Sequence, residues 1–447
     1  MTRKFVIVGA GLLLAAGAAL LLKPWPKPHI DKIVLVTIDT LRARQLGCYG
    51  YDRPTSPNID AWAKAAVLFE NNIVQAPWTV PSLGSLFTGH YPVEAGVYTN
   101  RGGISPDLMT LPQLFKGHGF RTASFNTHLL LVNKSGGFRR GFDEVFPDTI
   151  KPARINEHKI PWSSTEPYLM QWLDEHAQER FFIWIHSMDP HGPPTVGNSY
   201  LGRHGWPGYD AEVRWVDEAF GRILAKLEEV GIREEVLLVF AADHGEAFGE
   251  HGLSGHQDVM YDEVLNGPLI VQYPGMGRTG RISAPVELLD VFPTIAELAG
   301  LTLPPGTRGE SLVPLIEGRR SERESPHLFS ARYHFLDDHH QLAARDREWK
   351  LLIRVPDRNR GRPKNPTVRD RRQPVWRLDG DIDRLELYHL TTDRLEKTNV
   401  AAQHAEKLQA LRRALADWQT NLGFVSRRQA PALDQRSREA LRALGYE

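Results

Sequence analysis

The stretch Val236-Leu-Leu-Val-Phe-Ala-Ala-Asp-His244 decides how this chain folds. Its apolar residues run without alternation, the mark of a strand buried on both faces in a parallel sheet covered by helices. The run stops on an acid and an imidazole. The same figure recurs upstream: Lys32 to Ile38 reads K-I-V-L-V-T-I and ends on Asp39, and Phe181 to Ile185 ends on His186. Between the Phe181 run and the Val236 run, Val213, Val216, Phe220, Ile223, Leu224 and Leu227 recur at helical spacing over Asp210 to Val230, with Gly231 at the C′ position. Further helices are predicted at Pro57 to Ala66, Leu288 to Leu298 and Glu406 to Leu422. The fold class is therefore α/β, a mainly parallel central sheet sandwiched by helices, and ligands in such sheets sit at the strand C-termini. Short runs at Leu351 to Ile353 and Leu385 to Leu390 predict a smaller antiparallel C-terminal subdomain.

The chain divides into an apolar N-terminus (1–22), a Pro-rich linker (23–31), a main domain (32–330), the C-terminal subdomain (331–424) and a tail (425–447). Arg3 and Lys4 precede an uncharged run from Phe5 to Leu22, which reaches the lower length for a transmembrane helix. It reads as an uncleaved signal anchor rather than a cleaved signal peptide, because cleavage after Ala18 would leave Leu20 to Leu22 exposed. Lys23-Pro-Trp-Pro-Lys-Pro-His29 then forms a semi-rigid spacer. The main domain is thus expected on the exported, periplasmic or extracellular side of a membrane.

Length and composition exclude other classes. At 447 residues and 41% hydrophobic, the chain is too long and apolar for a disordered segment or a small stapled module. Lys plus Arg and Asp plus Glu both count 54, so no net field favours nucleic acid as a partner. With Cys48 as the only cysteine, neither an intrachain disulfide nor a Cys-rich zinc module is possible, and metal ligands must come from His, Asp and Glu. From Arg354 to Arg377 nine basic residues face Asp357 and Asp370; the stretch reads as a solvated loop, or as a patch for an anionic headgroup or polysaccharide.

The residues that could carry chemistry sit at strand ends and at one helix start. In Thr79-Val-Pro-Ser-Leu-Gly-Ser-Leu-Phe-Thr-Gly89, Pro81 suits a first helical turn and Gly89 the end. Thr79 then lies at or near the N-cap, its hydroxyl at the positive end of the helix dipole. Thr79 alone reads as a helix cap, Asp39 as an N-cap acid and His244 as a turn histidine. Together, Asp39, Thr79, Asp243 and His244 offer carboxylate, hydroxyl and imidazole to one divalent ion, without which clustered buried acids would be costly. A metal beside Thr79 would favour its alkoxide, the chemistry of phosphoryl or sulfuryl transfer. His191, in His186-Ser-Met-Asp-Pro-His191, and His256, after a flexible glycine-rich loop from Gly249, could hold ester oxygens or move a proton.

Ile38-Asp-Thr-Leu-Arg42 with L-G-C-Y-G-Y downstream, T-S-P-N-I-D, the Thr79 segment, H-S-M-D-P-H-G-P, A-A-D-H-G-E with G-E-H-G-L-S-G-H and Y-D-E, L-D-V-F-P-T-I-A-E-L-A-G and L-Y-H-L-T-T-D occur in that order. This series resembles the sulfatase family within the alkaline phosphatase superfamily, from about Ile33 to Val400. The resemblance implies an α/β sandwich with one or two metals under a hydroxyl or cysteine-derived nucleophile. Asp39, Asp243 and His244 match metal ligands, Thr79 the nucleophile, and His191 and His256 the substrate-contacting or proton-transferring positions.

The departures narrow the reading. Formylglycine-type sulfatases carry Cys or Ser where this chain has Thr79, Arg where it has Leu83, an acid where it has Thr40 and Asn where it has His244. A threonine cannot become the formylglycine aldehyde. Their G-K-W-H segment corresponds to Asn126-Thr-His-Leu129, so a lysine is missing. Threonine with Asp-His is similar to the phosphoesterase and phosphoglycerol or phosphoethanolamine transferase branches, and His in place of Asn points to Mn, Zn or Mg rather than Ca. The expected function is a membrane-anchored, metal-dependent hydrolase or transferase cleaving phosphate-type esters of a lipid headgroup or glycan. The alternatives are a sulfuric ester hydrolase on the same site and a catalytically silent protein that binds anionic glycan or lipid.

Overall fold

The computed structural model describes residues 30–100, 102–128, 130–132, 136–147, 161–192, 208–333, 339–356 and 382–423. The expected anchor over 1–22, most of the linker, the basic stretch beyond 356 and the tail from 425 lie outside the described residues. Among the described residues, no helix is long and apolar enough to cross a membrane.

The runs read from sequence become strands β1 (Lys32–Ile38), β5 (Phe181–Ser187) and β6 (Val236–Ala242), joined by β2 (Val67–Ile73), β3 (Arg121–Asn126), β4 (Glu144–Phe146), β9 (Asn266–Gln272), β10 (Gly280–Ile282) and β11 (Val286–Glu287). Their order is β10-β2-β9-β6-β1-β5-β3-β4, with β11 also on β2. Only β9 runs against its neighbours β6 and β2, so the sheet is mainly parallel. Along β1, Ile33 and Leu35 point into one core, Val34, Val36 and Ile38 into the other. That two-sided burial is why the strands show no polar alternation.

Helices cover both faces. On one side lie α1 (Pro57–Ala63), α4 (Glu166–His176) and α5 (Gly208–Glu229), through Ile59, Trp62, Leu169, Trp172, Val213 and Phe220. On the other lie α2 (Thr79–Thr88), α3 (Leu111–Gly117) and α6 (Val291–Leu298), through Leu83, Phe87, Phe115 and Ile295. The expected helix to Ala66 ends at Ala63, because Ala66 and Val67 turn inward to start β2. The expected helix from Leu288 opens as a 3₁₀ turn, Leu288–Asp290, before α6 begins. The last helix among the described residues, α7, spans Ala405–Asn421.

The antiparallel sheet is present and larger than the sequence indicated: β12 (Leu328–Arg332), β13 (His339–Arg345), β14 (Trp349–Pro356) and β15 (Arg384–His389), in that order. β12 spans the 330/331 division drawn from sequence. The segment read as a flexible glycine-rich loop is instead a hairpin, β7 (Ala247–Phe248) against β8 (Ser254–Gly255). Gly249 (φ 111°) and Gly252 (φ 71°) take the left-handed turn conformations that close it.

Candidate active site

Parallel register brings the strand ends together. Thr37 pairs with both His186 and Ala241, and Asn126 with His186, so the residues just beyond β6, β1, β5 and β3 share one edge. Asp39 leaves β1 fully buried, its N–H donating to Ser187 O at 2.9 Å. Thr40 then adopts φ 55°, a left-handed conformation costly for a β-branched residue. That turn aims the Thr40 N–H at Asp243 Oδ1 (3.2 Å), which also accepts the His244 N–H (2.7 Å).

The ligand atoms of Asp39, Asp243 and His244 all lie within 4.8 Å of one another. Thr79 opens α2 above them, fully buried, its Oγ1 3.5 Å from Asp39 Oδ2 and 3.4 Å from His244 Nε2. The helix start is seated from two sides. Val80 N–H donates to Asn100 Oδ1 at 2.9 Å, and the Ser82 hydroxyl donates to Asp243 O at 2.5 Å.

Burial sets the electrostatics. It pushes the Asp243 carboxyl up to about 8 and lowers His244 well below the usual imidazole range. Asp243 Oδ2 has no hydrogen-bond partner, and His244 Nδ1 donates to Gly245 O (2.9 Å), leaving the Nε2 lone pair facing the acids. An orphaned buried carboxylate oxygen beside an imidazole with its second nitrogen tied to a carbonyl is what a divalent cation requires. The residues present fit such an ion.

His191 and His256 stand at the edge of this cluster. The His256 ring is 4.5 Å from that of His244 and 5.4 Å from that of His191, and burial lowers it to about 4. His256 Nδ1 donates to Glu246 Oε1 at 3.0 Å; His191 Nδ1 donates to Gly192 O at 2.7 Å.

Two histidines that the sequence reading did not place in the site line its other flank. His128 Nε2 lies 4.0 Å and His186 Nε2 3.9 Å from Asp39 Oδ2. Burial lowers His128 to about 3, and its Nδ1 accepts the Leu130 N–H (3.1 Å), so its proton sits on Nε2, toward Asp39. The signals were available: His128 lies within the segment matched to G-K-W-H, and His186 follows an apolar run.

A sequence model described as Sulfatase matches residues 31–301, and one described as N-sulphoglucosamine sulphohydrolase, C-terminal, matches residues 249–361. The chain belongs to the sulfatase family, a group of hydrolases in the alkaline phosphatase-like superfamily that use a divalent metal ion. Among curated relatives it is similar to the Ulvan-active sulfatase of Formosa agariphila, 26% identical over 67% of each chain. It is also similar to human Arylsulfatase A, 28% identical over 70% of this chain and 72% of that one. The fold is shared with a structure solved in complex with k-i-k-neocarrahexaose (TM-score 0.71, 19% identity, 93% of this chain and 98% of that one). It is shared too with one solved with its substrate D-glucosamine-2-N,6-O-disulfate (TM-score 0.69, 18% identity, 88% and 98%).

Proposed function

We propose that this protein hydrolyses sulfate esters of a sulfated glycan, with Thr79 as the nucleophile. The observation that carries the reading is the Thr79 hydroxyl held over the buried Asp39, Asp243 and His244 in a chain of the sulfatase family. The relatives reverse the order expected from sequence, in which phosphate-type esters came first. Those with names or ligands are sulfatases or bind sulfated sugars.

A divalent ion bound by Asp39, Asp243, His244 and Thr79 would supply Lewis acidity to the ester and favour the threonine alkoxide. The chain's residues do the rest. Thr79 Oγ1 forms the bond to sulfur as the bond to the leaving sugar oxygen breaks. His256, neutral and held by Glu246, starts as a base, takes the threonine proton and returns it to the leaving oxygen. Water then cleaves the threonine sulfate, releasing sulfate and restoring the hydroxyl. His128, with its proton on Nε2, and His191 hold ester oxygens. We also propose that residues 5–22 anchor the domain on the exported face of a membrane, a reading that rests on their composition.

A second reading keeps the site and takes phosphate esters; the pairing of Thr79 with Asp243-His244 favours it. The test is turnover of 4-nitrophenyl sulfate, 4-nitrophenyl phosphate, bis(4-nitrophenyl) phosphate and sulfated oligosaccharides by the metal-loaded protein, beside Thr79→Ala. Sulfate release lost in the variant, with a sulfated Thr79 peptide in quenched wild-type reactions, is expected. Turnover confined to phosphate esters would install the second reading.

A further inference from the structure

We infer that Phe248 is a stacking platform for the sugar ring that carries the ester, an inference that rests on the sulfated-glycan reading above. The hairpin that carries His256 also carries Phe248. Ala247 pairs with Gly255 and Phe248 with Ser254, and Glu246, just before this ladder, hydrogen-bonds His256, just after it. Alternate residues of an extended segment share a face, which puts Phe248 on the side of Glu246 and of the imidazole that Glu246 holds. Ala247, on the other side, is 1% exposed, whereas Phe248 is 50% exposed.

About half of the Phe248 side chain is open to solvent beside the site. Its position is nonetheless fixed. The Tyr209 ring meets it edge-on at 4.6 Å and the Arg42 guanidinium lies 5.2 Å from its centre. The Phe248 N–H donates to Glu250 Oε2 (2.6 Å), while Glu250 Oε1 holds Arg42 Nη2 (2.7 Å). Tyr209 in turn donates its hydroxyl to Thr40 O (2.6 Å) and accepts the Arg42 N–H (2.9 Å), which ties the ring to the turn just after Asp39. A half-exposed aromatic ring tied to the ligand-bearing turn, with Arg42 over it and on the same side of the hairpin as the proton-transferring imidazole, suits contact with the C–H face of a pyranose whose ester enters the site.

The test compares the full, metal-loaded chain with Phe248→Ala and Phe248→Tyr on a sulfated oligosaccharide, with inorganic sulfate as an inhibitor that probes the ester pocket without a ring. Phe248→Ala should raise KM about tenfold, with kcat falling far less, while the inhibition constant of sulfate stays put and Phe248→Tyr recovers most of the loss. An unchanged KM in Phe248→Ala, with the wild type active on the oligosaccharide, overturns the inference alone. So does a matching shift in the sulfate inhibition constant, which would mean a distorted pocket. A wild type inert toward every sulfated saccharide but active on other esters overturns the glycan reading, and this inference with it.

Discussion

A hydroxyl at the first position of a buried helix could serve the fold or the reaction, and substitution separates the two. Thr79→Ala removes the nucleophile but leaves the backbone seating through Val80 and Ser82 intact. Turnover should fall by about 10³-fold or more with little change in melting temperature, and Thr79→Ser should keep most of the rate. Asp243 predicts the opposite balance. Its carboxyl titrates at about 8 in the fold against 3.8 ordinarily, with burial as the main cause. Between those values the native metal-free protein holds a proton that the unfolded chain has released, so this contribution is full below about pH 4 and is lost as pH rises toward 8. Asp243→Asn cannot ionise. Without metal it should melt higher than wild type at pH 8 and converge with it near pH 4; the lowered histidines are common to both proteins and cancel. A divalent ion should reverse the order, because only the wild type keeps the full ligand set. Thermal melts with and without chelator check both halves, and a variant that melts lower at pH 8 without metal would count against the burial argument.

At the level of the element, the site depends on where α2 begins. Asn100 accepts the Val80 N–H, one of the orphan donors of the first turn, from a segment outside the helix. Asn100→Ala should cost about 1 kcal/mol and lower kcat more than it raises KM, because Thr79 loses its register over the acids; Asn100→Asp, which keeps the acceptor, should recover kcat. Urea unfolding beside steady-state kinetics reads both effects. The elements also mark what could be read without coordinates. β1, β5 and β6 were legible because burial on both faces writes a continuous apolar run, and their C-terminal ends delivered Asp39, His186 and Asp243-His244. β7 and β8 were not, since two-residue strands carry no periodicity and their pairing depends on left-handed glycines. His128 was missed for a related reason: it follows a strand only through Thr127, and its place beside Asp39 comes from the pairing of β3 with β5.

Across the whole molecule, the C-terminal sheet is docked by charge as well as by apolar contact, and of the residues that do it the sequence had marked Asp262 alone, in the Y-D-E segment. Lys350 on β14, 1% exposed, reaches Asp262 Oδ1 and Glu396 Oε1, each at 2.7 Å. Arg345 on β13 meets Asp262 Oδ2 at 3.1 Å, and the Asp262 N–H donates to Glu396 Oε2 at 2.6 Å. Asp262 follows the His256 segment directly, so this network joins the catalytic loop to the antiparallel sheet. Burial works to raise both carboxyls. At Asp262, Lys350 and Arg345 outweigh it and hold the group below its ordinary 3.8, whereas Glu396 stays raised to about 7. Lys350→Met keeps the length of the stem and removes the charge, leaving the buried acids with Arg345 and the weaker influence of Arg44 on Asp262. Both carboxyls should then titrate higher in the fold than in the unfolded chain. The penalty should therefore be small near pH 4 to 5, where the acids can be protonated, and should grow to about 3–5 kcal/mol by pH 8. Urea unfolding of the wild type and the variant at pH 5 and pH 8 measures it. A gap that is the same at both pH values would mean that Lys350 contributes packing rather than charge. If the gap widens as expected, His256-dependent turnover should weaken with it, because the loop that carries His256 and the sheet that holds Asp262 are parts of one support.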